Sequence, residues 1–138
     1  MTQYSRGESN KLDTREKSLT IARIALDKKV ENLSIIEIGG LSSVADDIII
    51  CSGASDRQVQ AVAHYIIDEL KQQGQKPLGM EGVDEGRWAL IDYGDVIVHI
   101  FHEPVREYFD LEGLWSDAPR VDLDGLEEDT DRDGAGCN

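Results

Sequence analysis

The 138-residue chain carries 28 acidic against 14 basic side chains, a formal charge of −14, and 40% hydrophobic residues. That length suits one domain with enough interior to fold without disulfide or metal staples. The charge opposes direct contact with a nucleic-acid backbone, which calls for clustered Lys and Arg; acidity serves solubility by itself, and it also suits a basic protein surface as partner.

Residues 1–12 are polar, lack the apolar stretch of a secretory signal, and are expected to form a flexible N-terminal segment. Asp13 and Glu16 have capping-box spacing. Leu19, Ala22, Leu26, Val30 and Leu33 then recur three or four apart, which predicts an amphipathic helix. Ile21 and Ile24 fall off that stripe, and they widen the core face or serve a dimer interface. Ser34 to Ile38 reads as a short strand closed by Gly39-Gly40, and Asp47 to Ser52 as a strand buried on both faces. Cys51 lies inside that apolar run, where a thiol acts as a small hydrophobe; two cysteines make no disulfide framework, and a reducing cytoplasm is the natural compartment.

Ser55 and Gln58 repeat the capping-box spacing. Val59, Val62, Ala63, Ile66, Ile67 and Leu70 form the apolar stripe of a second helix that stops at Gly74. Arg87 to Tyr93 and Val96 to Phe101 are rich in aliphatic, β-branched and aromatic residues around Tyr93-Gly94-Asp95, which reads as a hairpin. A strand, a helix and a further strand call for a parallel pair, to which the hairpin adds antiparallel strands. The fold class is therefore α/β, a single domain over 13–123 with a mixed β-sheet and helices packed on it. Pro104 opens a short helix through Phe109, and Leu111 to Trp115 form another turn. From Asp117 onward eight acidic residues face two arginines, and 124–138 is expected to be a disordered acidic tail. No stretch approaches the ~18 apolar residues of a membrane span.

Along the strand from Arg87 to Tyr93, Trp88, Leu90 and Asp92 share one face, and Arg87, Ala89, Ile91 and Tyr93 the other. If helices cover one face, the opposite one presents an aromatic, an aliphatic and an acid together, a combination suited to a basic protein partner. The competing reading makes Trp88 and Tyr93 core or hairpin-stabilising residues.

Other constellations are weaker. Asp129 to Gly134 matches the first half of an EF-hand loop, but the chain ends before the bidentate Glu. His99 and His102, three apart on a strand, point to opposite faces and read as packed or hydrogen-bonded, and His64 as the edge of the second helix's polar face. No metal site and no cofactor is expected.

Three blocks in order resemble the ribosomal silencing factor family, also called the Iojap-like proteins, over about Leu19 to Leu123. They are Val44-Ala45-Asp46-Asp47-Ile48-Ile49-Ile50-Cys51-Ser52-Gly53-Ala54-Ser55-Asp56-Arg57-Gln58-Val59, then Lys76-Pro77-Leu78-Gly79-Met80-Glu81-Gly82 with the hairpin, and finally His102 to Val121 with Arg106-Glu107-Tyr108-Phe109 and Leu114-Trp115. Asp47 departs from the family's usual uncharged residue, and Glu103-Pro104 stands in reverse of a common order. The resemblance implies a nucleotidyltransferase-like topology and a non-enzymatic role. It implies binding to the large ribosomal subunit through its protein L14, which sterically blocks the small subunit and represses translation, with little direct nucleic-acid contact, and it allows a homodimer. It also implicates the sheet surface around Trp88 in partner binding. Trp88 is then the expected anchor, Leu90 and Met80 extend its contact area, and Asp92, Asp95 and Glu81 pair with basic groups, while Tyr93 joins the contact or supports the turn.

The alternative is a nucleotide-binding or nucleotidyltransferase-like enzyme. Against it stand Ser52-Gly53 in inverted order and the scattered acids Asp46, Asp47, Asp92 and Asp95. A phosphate loop is missing, and Asp56 at a helix start would repel phosphate.

Overall fold

The structure is a computed structural model that describes residues 2–123 and 126. Helix α1 (Thr2–Asp27) leads into β1 (Glu31–Glu37) and β2 (Asp47–Gly53), followed by α2 (Asp56–Gln72), β3 (Gly79–Glu81), β4 (Trp88–Asp92), β5 (Val96–His102), α3 (Glu103–Phe109) and α4 (Leu111–Leu114). The five strands form one mixed sheet in the order β1-β2-β5-β4-β3. Only β2 and β5 pair in parallel; β1 on β2, β4 on β5 and β3 on β4 are antiparallel.

Local chemistry accounts for the best-formed helix. The Ser55 hydroxyl accepts the Gln58 N–H at 3.1 Å, which satisfies one orphan donor at the start of α2, and the Gln58 side-chain oxygen accepts the N–H of Ala54 just before the cap. Its stripe of Val59, Val62, Ala63, Ile66 and Leu70 is buried. The chain leaves α2 through Gly74 at φ +81°.

Helices α1 and α2 cover one face of the sheet. Beneath them lie Ile35, Ile49, Cys51, Ala89, Ile91, Val96, Val98 and Ile100. Burial pushes the Cys51 thiol up to about 12, so it stays protonated as an inert core group. On the other face a smaller core of Ile36, Ile38, Ala45, Ile48, Ile50, Phe101 and Ala118 is overlain in part by Val105, Leu111 and Trp115. The segment after α4 runs along the outer edge of β1, where the Glu37 N–H donates to the Pro119 carbonyl and the Val121 N–H to that of Ile35. That pairing protects an edge that would otherwise be open.

The expected course of the first helix changes. The first helix extends back to Thr2, so Asp13 does not cap its start, and it ends at Asp27 rather than carrying Val30 and Leu33. Lys29 and Asn32 adopt φ of 63° and 53°, which breaks the helical path and sends Leu33 into β1. The buried face of α1 centres on Thr14, Ser18, Ile21, Ala22 and Ala25, with Leu19 and Leu26 at its margins. Ile21 is therefore core, which removes it as a self-association residue, and Ile24 packs against the same core. The short strand β3, unassigned from the sequence pattern, adds a fifth strand to the sheet. The expected disorder of 124–138 and the half EF-hand at Asp129 to Gly134 lie outside the described residues, apart from Leu126, which is buried in the core beneath the helices.

Candidate functional site

The β4–β5 hairpin closes through a turn in which the Tyr93 N–H donates to the Val96 carbonyl at 2.9 Å and the Asp92 carboxylate accepts the Gly94 N–H at 2.8 Å. Gly94 sits at φ +90°, a conformation that favours glycine. Register then decides which expected site residues meet. Trp88 lies opposite Phe101, Leu90 opposite His99, and Asp92 opposite Ile97. On the next strand Glu81 faces Leu90 and Met80 faces Ile91. Directly opposed residues project from the same face, so Glu81, Leu90, Asp92 and Trp88 share the side away from α1 and α2.

Met80, Tyr93 and Asp95 do not join them. Met80 is 51% exposed, yet it continues the row Ile91, Val98, Ile49, Ile35 that runs under the helices. Tyr93 is only 6% exposed, and its hydroxyl has no partner among the described residues. Burial raises that phenol to about 12. Asp95 is held by α1, accepting from the Thr14 hydroxyl at 2.6 Å and the Lys17 ammonium at 2.8 Å. Burial alone would raise its pKa; these two donors outweigh it and hold the carboxyl below its ordinary value.

On the open face Trp88 is half-buried and central. Its ring stacks on Phe101 at 4.9 Å between centroids and 27°, and meets Phe109 of α3 at 4.8 Å and 43°. Its indole N–H donates to His99 Nδ1 at 3.0 Å. Beside it an apolar cleft of about 430 Å³ opens between β4 and α3, lined by Arg87, Trp88, Pro104, Val105, Tyr108 and Phe109. Tyr108 is 82% exposed at its rim and meets Phe109 edge-on. The sequence reading did not bring Tyr108, Phe109 or His99 to this site. A signal was present for the first two: Pro104, Val105, Tyr108 and Phe109 are spaced to share one face of a helix that starts where β5 ends.

Of the residues that nucleotide chemistry would call on, Ser52, Asp47 and Asp56 are engaged within the fold. The Ser52 hydroxyl accepts from the buried Arg106 guanidinium at 2.8 Å, and that guanidinium also grips Glu112 through two donors at 3.0 and 2.8 Å. The Arg106 hydrogen bonds hold the Glu112 carboxyl below its ordinary value. These side chains line a polar cavity of about 920 Å³ with Glu103, Glu107 and Asp110. Asp47 accepts from Ser18 and Arg15. His102 contacts Asp56 at 2.9 Å on the helix side, and His64 is exposed on α2. No group of three or more His, Cys, Asp or Glu that could hold a metal ion exists among the described residues. No helix among them is long and apolar enough to cross a membrane.

The chain matches known proteins over nearly all of this fold. A family model described as "Ribosomal silencing factor during starvation" matches residues 11–136. A curated relative named ribosomal silencing factor RsfS from Bacillus subtilis is 50% identical over 107 residues, 77% of this chain and 91% of the relative. A crystal structure of a Chromobacterium violaceum protein superposes with a TM-score of 0.72 at 35% identity, covering 74% of this chain and 85% of that one. A second, from Bacillus halodurans, gives 0.71 at 39% identity over 79% and 99%. Agreement in sequence along almost the whole chain, in domain size and in fold leads to one conclusion, that this chain belongs to the ribosomal silencing factor family.

Proposed function

We propose that this protein represses translation in the cytoplasm by binding the large ribosomal subunit through its basic protein L14 and standing where the small subunit docks. The mechanism needs no bond-making step, because occupancy of a joining surface is enough. The observation that carries the reading is the open face itself, with the half-buried indole of Trp88 between Leu90 and the apolar cleft, and the acids Glu81 and Asp92 beside it. A desolvated aromatic with apolar neighbours supplies affinity, and a rim of opposite charge supplies steering and register. The net charge of −14 adds a long-range attraction toward a basic surface, one that weakens as salt screens it.

In this reading the contact set is Trp88, Leu90, Asp92 and Glu81, supported by their sharing one face, with Tyr108 and Phe109 of the adjoining cleft extending it. The test is co-sedimentation with isolated large and small subunits, together with a subunit-joining assay. Wild type is expected to pellet with large subunits alone and to suppress joining. Trp88→Glu, still folded by circular dichroism, is expected to lose at least about 2 kcal/mol of binding, roughly thirtyfold in affinity. Equal binding by the two proteins would remove this face from the mechanism. No binding by wild type at low salt would turn attention to nucleotide binding, measured by calorimetry with magnesium and nucleoside triphosphates.

A further inference from the structure

Trp88 carries a single polar atom, and the atom that receives its proton decides how the ring stands. The indole Nε1 donates to His99 Nδ1 at 3.0 Å. His99 sits on β5 opposite Leu90 and two residues before Phe101, the residue opposite Trp88. It is 7% exposed, so it supports the face from beneath and takes no part in its outer surface. To accept at Nδ1 the imidazole must be neutral with its proton on Nε2. The ring lies nearly parallel to Phe101, at 12° and 6.2 Å between centroids.

Stacking alone leaves an aromatic ring free to slide or turn over, because dispersion varies little with such motions. A hydrogen bond from one edge fixes both. The other tryptophan shows the contrast: the Nε1 of Trp115 is buried with no partner among the described residues, whereas that of Trp88 is aimed at an acceptor.

We propose that His99 is a positioning residue for partner binding, accepting the indole N–H so that Trp88 stands in one orientation between the open sheet face and the cleft beside α3. The inference rests on the reading that this face binds the large subunit. It adds that the face is preorganised, so no rotamer freedom of the anchor is lost on docking. With the acceptor gone, the indole either buries an unsatisfied N–H or turns outward to reach water, and the cleft wall formed by Trp88 changes shape.

The test uses the full chain with His99→Leu, His99→Gln, Trp88→Phe and the double variant Trp88→Phe/His99→Leu, each first shown to unfold cooperatively in urea. His99→Met replaces the leucine variant if the latter does not fold. Two quantities are read: affinity for isolated large subunits, and the indole ¹⁵N–¹H resonance of Trp88, with that of Trp115 as internal reference. His99→Leu is expected to weaken binding about tenfold and to shift the Trp88 resonance, while His99→Gln, whose amide oxygen can accept, stays within about threefold of wild type. In the Trp88→Phe background, where no N–H needs an acceptor, removing the imidazole is expected to cost nothing further. An unmoved Trp88 resonance, or an equal loss in both backgrounds, would overturn the positioning role with the ribosomal reading intact. Absence of binding by wild type would instead overturn the ribosomal reading and the partner that this proposal names.

Discussion

The Ser18 hydroxyl donates to the Asp47 carboxylate at 2.7 Å, and both residues are buried where α1 crosses the start of β2. Arg15 adds a second donor to the same carboxylate at 3.2 Å and bridges to Glu37. Asp47 therefore ties the first helix to the sheet, and an acid at this position is explained by what α1 places above it. Asp47→Ala would leave the Ser18 hydroxyl buried without its acceptor and cost about 2–3 kcal/mol, with Asp47→Asn costing less because one acceptor oxygen remains. Urea unfolding of the two variants checks both the size and the order.

The register of β3 on β4 separates two residues that composition treats alike. Leu90 lies on the open face beside Trp88, while Met80 faces the helix side opposite Ile91. Leu90→Ser is expected to weaken large-subunit binding by about 1–2 kcal/mol and Met80→Ser to leave it within error. A larger loss from Met80→Ser would mean that the partner reaches around the β3 edge.

Tyr93 offers a test on the helix side. Its hydroxyl is buried and has no partner among the described residues. Tyr93→Phe removes that polar atom while keeping the ring, so stability should hold or rise by up to about 1 kcal/mol, with ribosome binding unchanged. A clear loss of stability in thermal or urea unfolding would show that the hydroxyl is satisfied by water.

Gly86 holds the loop before β4 against the start of α2. It adopts φ +75°, and a Cβ there would collide with the backbone carbonyl oxygen of Asp56. Gly86→Ala should destabilise the chain by about 2 kcal/mol or more, since strain and overlap act together. Urea midpoints compare it with Gly79→Ala, where a Cβ meets nothing within 4 Å.

Much of this architecture is legible in the sequence because its causes are local. The Ser55 and Gln58 cap, the stripe from Val59 to Leu70, the alternation through Trp88 to Asp92 and the Pro104 helix start each depend on neighbours within a turn or a hairpin. What stayed hidden depends on partners far along the chain. Gly79 to Glu81 is too short to show a period, and it becomes a strand only because β4 offers its edge. The face of Met80 is set by a pairing in which a one-residue slip would reverse it. Asp95 reads as an acid available to a basic partner, but Lys17 and Thr14 on α1, more than seventy residues earlier, claim it. The bond between Trp88 and His99 arises from a diagonal across two antiparallel strands, a relation that no spacing within either strand reveals.

Burial lowers the His99 pKa from 6.5 to about 4. The folded protein thus keeps the imidazole neutral at pH values where the unfolded chain has already bound a proton. Between pH 6.5 and about 4 the unfolded state holds more protons, so stability falls as pH falls through this window, and the loss levels off once the folded histidine protonates. At roughly 1.4 kcal/mol per pKa unit, the full effect is about 3.5 kcal/mol. Carboxylates with a lowered pKa in the folded state, Asp95 and Glu112 among them, also cost stability on acidification, so the quantity to measure is the difference between wild type and His99→Gln in urea unfolding at a series of pH values. That difference should move against the wild type on acidification, while the Trp88 indole resonance of the wild type shifts only near the lower end, where Nδ1 gains a proton and can no longer accept. Parallel pH curves for the two proteins would mean that His99 titrates alike in the folded and unfolded states, so that its acceptance from Trp88 would be lost as pH falls through 6.5.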